Sequence, residues 1–162
     1  MVDKIINEDE VIDFLHSWKD GIIAIGQEFL DHKDYKIPAQ HFISDHYLFD
    51  EGEVLFKPTF TKDVIFRNNF NDALSYFIKG HIHEDGGFAI RPWKNIELLD
   101  INISIENSYG FVMGVLHLIP WVGSNTFEIA LTFVLKKDSK NKLKIKVHHS
   151  SPIKNYLAAP KN

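Results

Sequence analysis

The chain has 162 residues, no cysteine and a formal net charge of −4. A chain of this length buries roughly 70% of its unfolded surface, so it needs no disulfide staples, and thiolate chemistry is excluded. The mild acidity leaves no basic face for nucleic acid, and no apolar run approaches the ~20 residues of a membrane span. The lysine cluster between Lys136 and Lys146 reads as a solvated hairpin. The N-terminus turns acidic at Glu8-Asp9-Glu10 before a leader-like apolar run can form. These features predict a cytoplasmic protein, residues 1–162 forming one domain, with no cofactor and no bound metal.

Asn7 and Glu10 have capping-box spacing, and Val11, Phe14, Leu15, Trp18, Ile22, Ile25, Phe29 and Leu30 follow at helical intervals. Gly21 and Gly26 weaken the middle of this first helix. Pro38 can open a second helix, with Phe42, Ile43, His46 and Tyr47 on its apolar side. Val54 to Pro58 reads as a short strand and Thr61 to Phe66 as another short piece. A third helix over Asp72 to Lys79 would be capped by Asn71 and closed by Gly80. Gly86-Gly87 marks a turn into a short strand. Four long strands then follow: Lys94 to Glu106, Tyr109 to Ile119, Thr126 to Lys137 and Lys142 to Ser150. Helices first and an antiparallel meander last predict an α+β fold, with N-terminal helices packed on a strongly curved sheet.

Strand parity sorts the final strands. Phe127, Ile129, Leu131, Phe133 and Leu135 share one face; Leu143, Ile145, Val147, His149 and Ser151 share another, leaving His148 with the lysines. The two apolar rows coincide if the hairpin loop is Ser139-Lys140-Asn141 with Asn141 in the left-handed region. That is the preferred register. A loop of two or four residues would instead set His149 and Ser151 beside Thr132 and Glu128. On the preceding strand His117 shares a row with Phe111, Met113, Val115 and Ile119.

The helices, the bent sheet and the terminal His148-His149-Ser150-Ser151 resemble the nuclear transport factor two-like cone fold. The series Val54-Leu55-Phe56-Lys57-Pro58-Thr59, Ala73-Leu74-Ser75-Tyr76-Phe77, Glu84-Asp85-Gly86-Gly87-Phe88-Ala89 and Pro92-Trp93 resembles, more narrowly, an uncharacterised bacterial branch of that fold. That superfamily includes SnoaL-like cyclases, ketosteroid isomerases and scytalone dehydratase. The resemblance implies a conical cavity between helices and sheet, often a ligand site, and a homodimer formed through the sheet.

Such a cavity would receive His149 and His117, whose ordinary pKa suits acid–base chemistry near neutrality. Asp85 and Glu128 are the candidate carboxylate partners, with Tyr76, Phe88, Trp93, Trp121 and Ser151 as candidate ligand contacts. The expected function is cofactor-free proton transfer on a small apolar or aromatic molecule, of the isomerase, cyclase or dehydratase kind. The alternative is a non-catalytic binding or dimerisation module. Against each functional assignment stands a plain one: core packing for the histidines and aromatics, turn chemistry for Asp85.

Overall fold

The computed structural model describes residues 4–153. Helix α1 runs unbroken from Glu8 to Leu30, closed at its start by the reciprocal Asn7–Glu10 capping box. Its glycines mark close approach rather than weakness: a Cβ on Gly26 would lie 2.9 Å from the Ala89 carbonyl oxygen. Helix α2 (Lys36–His46) follows a short turn, then strand β1 (Leu55–Lys57) and helix α3 (Phe70–Ile78). Asn69, rather than Asn71, caps α3, its side chain accepting from the Asp72 N–H at 2.9 Å. The pieces expected at Thr61 to Phe66 and after Gly87 form no strand.

Strands β2 (Trp93–Glu106), β3 (Tyr109–Pro120), β4 (Phe127–Lys137) and β5 (Leu143–Pro152) form the expected meander. The sheet order is β1-β5-β4-β3-β2, and β1 pairs with β5 in parallel. The α+β class therefore holds, with a mixed five-stranded sheet. The three helices pack on its inner face, where Trp18, Ile22, Ile43, Tyr47, Phe56 and Phe77 meet Leu116, Ile129, Phe133 and Ile145 in the core.

The β4–β5 hairpin closes as the preferred register requires. The Asp138 N–H donates to the Lys142 carbonyl at 2.8 Å, and Asn141 has φ 66°. Pairing then runs Lys137 to Leu143 and Leu135 to Ile145. One step later it slips: Val134 faces Val147 and Phe133 faces His148. Lys146 is the extra residue of a β-bulge, which reverses the parity of everything after it. Val147, His149 and Ser151 therefore turn outward, while His148 and Ser150 turn into the core.

Candidate functional site

His148 projects from β5 into an aromatic cage and is 4% exposed. Its ring stacks on Phe56 at 4.6 Å and meets the edge of Phe133 at 4.7 Å, with Trp18 and Tyr47 about it. Nδ1 lies 3.0 Å from the Tyr47 hydroxyl, which accepts from the Trp18 indole N–H at 3.2 Å. Nε2 is buried and has no hydrogen-bond partner among the described residues. Burial in these apolar surroundings pulls the imidazole pKa down to about 3, so the ring is neutral at ordinary pH.

Two residues on, Ser150 shares the inward row. Its hydroxyl lies 2.7 Å from that of Thr59, which follows β1. The Tyr76 hydroxyl, next to the Thr59 side chain, accepts the Phe60 N–H at 3.1 Å. Burial pushes the Tyr76 phenol well above its usual range. Phe56 joins the two groups, touching both the His148 and Tyr76 rings. Tyr76 stacks on Phe88 at 5.7 Å, and Phe88 accepts the Trp93 indole N–H through its carbonyl at 2.8 Å. The result is a row of buried hydroxyls and one neutral imidazole against aromatic walls.

The segment between β1 and α3 holds Thr59 in place. The Arg67 N–H returns to the Phe56 carbonyl at 2.7 Å, and the Glu84 carboxylate accepts three successive N–H groups from Lys62, Asp63 and Val64. The Arg67 guanidinium, fully buried, meets Asp85 at 2.8 Å, and the other Asp85 oxygen accepts from Ser75 at 2.7 Å. This buried pair ties the Thr59 segment to α3 next to Tyr76.

Several expected positions move. His149 lies on the outer face, opposite Thr132, because of the Lys146 bulge; Ser151 goes with it, opposite Ala130. His117 is also outward, since Val112, Leu116 and Leu118 are the row of β3 that faces the core. It lies 3.5 Å from Glu97 and opposite Glu128, so a histidine and carboxylates do meet, but outside the core. Asp85 reaches neither histidine because Arg67 and Ser75 occupy it. Trp121 is 49% exposed under the Lys94 ammonium instead of lining the interior. Tyr76, Phe88 and Trp93 are buried together in the core. Sequence reasoning missed Tyr47, Thr59, His148 and Ser150. Among the described residues no group of three or more His, Cys, Asp or Glu side chains converges to hold a metal ion. Among them too, no helix is long and apolar enough to cross a membrane.

The family model for metal-independent carbonic anhydrase matches residues 9–152. The chain belongs to that family. A metal-independent carbonic anhydrase from Nostoc sp. (strain PCC 7120) is 32% identical over 157 residues, covering 93% of this chain and 76% of the relative. The crystal structure of a cyanobacterial iota-carbonic anhydrase complexed with bicarbonate superposes with a TM-score of 0.85 at 32% identity, covering 93% of this chain and 94% of that one. A nuclear transport factor 2-like protein from Streptomyces avermitilis superposes at TM-score 0.62 with 12% identity, covering 90% and 94% of the two chains, and shows the shared cone fold alone. The metal-independent carbonic anhydrase family overturns two expectations: an isomerase, cyclase or dehydratase, and a non-catalytic module.

Proposed function

We propose that this protein interconverts carbon dioxide and bicarbonate without a metal ion, at the inward cluster of Thr59, Tyr76, His148 and Ser150. The observation that carries the reading is the buried, unpartnered Nε2 of His148 in the same row as the Ser150–Thr59 hydroxyl pair. A buried polar atom left unpaired costs about 1–3 kcal/mol unless something meets it, and an oxygen of a small anion is suited to do so. The family membership supplies the substrate class. Three hydroxyls and one imidazole are a poor ligand set for catalytic zinc, which takes three His, Cys or carboxylate ligands.

The chemistry follows from the groups present. Phe56, Phe60 and Tyr76 give carbon dioxide, which is apolar, a wall to lie against. A water held by the Ser150, Thr59 and Tyr76 hydroxyls attacks its carbon: the new C–O bond forms as a C=O electron pair moves onto oxygen. Donors fixed beforehand stabilise that developing charge. The proton lost by the water passes along hydroxyls, each of which accepts one proton while donating another, and leaves to bulk water, so that bicarbonate remains.

The test is carbon dioxide hydration by stopped flow, in chelator-treated buffer, on the wild type and on Ser150→Ala and Tyr76→Phe. The wild type is expected to retain its activity after chelation, and each variant to lose about 10²-fold or more in kcat/KM with unchanged circular dichroism. Variants as active as the wild type would sink the assignment of this site.

The outer sheet face carries a second part of the reading, a homodimer contact. Met113, Tyr109 and Phe111 are 63%, 39% and 37% exposed on that face, more apolar surface than a lone strand usually shows to water. Met113→Lys is expected to shift the species seen by light scattering from dimer to monomer; a wild type that is already monomeric would end this part.

A further inference from the structure

We propose that Tyr47 and Trp18 are positioning residues that hold His148 in the tautomer bearing its proton on Nε2, making it a hydrogen-bond donor to whatever occupies the site. The hydrogens available at the Tyr47 oxygen decide the tautomer. An indole N–H only donates, so the Tyr47 oxygen accepts from Trp18 at 3.2 Å. The same oxygen lies 3.0 Å from His148 Nδ1. Tyr47 has one hydroxyl hydrogen, and Trp18 and His148 are its hydrogen-bond partners among the described residues.

Two assignments remain. If the Tyr47 O–H donates to Nδ1, that nitrogen is an acceptor, the proton sits on Nε2, and one buried group is left unspent: the Nε2–H. If Nδ1–H donates to Tyr47 instead, two groups are unspent, the tyrosine hydrogen and a bare Nε2. Each buried unsatisfied group is costly, so the first assignment wins. The indole reinforces the choice, because it already fills one acceptor position of the phenol oxygen from the other side. The arrangement is rigid: Tyr47 is 0% exposed, its ring packed by Phe42, Phe56 and Phe77. Its main chain is pinned to β5 itself, where the Leu48 N–H donates to the Ile145 carbonyl at 3.0 Å, immediately before the bulge that turns His148 inward.

The consequence rests on the carbonic anhydrase reading; the tautomer does not. A neutral imidazole fixed in this way offers an N–H to a carboxylate-like oxygen and is not the base that takes the proton from water. Carbon dioxide hydration would then show no kinetic pKa belonging to His148 near neutrality.

The measurement is a long-range 1H–15N correlation spectrum of the 15N-labelled full chain, with His148→Gln identifying the signals by their loss. The wild type is expected to show a protonated, pyrrole-type Nε2 and a pyridine-type Nδ1. Tyr47→Phe, which keeps the ring, should average or reverse that pattern and lower kcat for hydration about tenfold or more with little change in KM. Trp18→Phe should move the pattern in the same direction by less. A wild-type His148 protonated on Nδ1, or a Tyr47→Phe spectrum identical to the wild type, overturns the proposal. If Tyr47→Phe does not fold, the wild-type spectrum decides alone. The predicted tautomer in a protein with no hydration activity would uphold the positioning role and end the functional reading instead.

Discussion

His148 and His149 are neighbours in sequence and occupy opposite faces of β5. His148 is 4% exposed, caged by Trp18, Tyr47, Phe56 and Phe133, and its pKa is pulled down to about 3. His149 lines an open groove of about 610 Å³ with Asp100, Asn102, Thr132 and Ser151. One bulged residue, Lys146, separates these fates. The contrast teaches that the chemistry of an imidazole is set by the face it lands on, and that on a strand the face is decided by register rather than by the residue's own neighbours in sequence.

The largest expected effect that sharpens this contrast is on stability. His148→Ala empties the centre of the aromatic cage and strips the Tyr47 hydroxyl of its acceptor, and is expected to cost about 3–5 kcal/mol, in the range of large-to-small core replacements. His149→Ala should stay within about 0.5 kcal/mol, as exposed substitutions do. Urea unfolding of the pair checks this; equal losses would mean that the two faces are not distinguished as described.

A smaller effect is expected with acid. His148 titrates at about 3 when folded and near 6.5 when unfolded. Between those values the unfolded chain binds more protons, so stability is complete above pH 6.5 and falls as pH drops toward 3, by up to about 1.4 kcal/mol per pH unit. Burial lowers the His46 pKa too, which adds in the same direction. Between pH 7 and pH 5 the wild type is expected to lose about 2 kcal/mol more than His148→Gln. Equal losses in the two proteins would place the acid sensitivity elsewhere.

Much of the fold was legible because its signals are local. The Asn7–Glu10 box, the helical spacing from Val11 to Leu30 and the left-handed Asn141 each depend on a few adjacent residues. The inward row of β4 was legible too, since Ile129, Leu131, Phe133 and Leu135 alternate without interruption. The site was harder to read because it depends on the bulge. Leu143, Ile145, Val147, His149 and Ser151 alternate as one apolar row, and Lys144 looked like a water-facing residue on the row of His148. In fact Lys144 is buried against Asp138 at 3.1 Å, where ion pairing hides a charge that sequence alone assigns to solvent. Thr59 carried no signal beyond following a short strand, and Asp85 reads as turn chemistry because its partner Arg67 lies 18 positions away. Tyr47 was visible as part of the apolar side of α2, but its hydroxyl partners on α1 and β5 are set by tertiary packing.

The parallel pairing of β1 with β5 sets when the cluster can exist during synthesis. Thr59 and Ser150 are 91 positions apart, and Tyr47 and His148 are 101 apart. Contacts of such separation pay loop-closure entropy before they return anything, and they form late. On the ribosome, α1, α2 and the β2–β3–β4 meander can emerge and begin to pack while the cage still lacks its imidazole. The hydroxyl row and the cage close together when β5 slots between β4 and β1, so the last strand among the described residues is the one that joins both halves of the site.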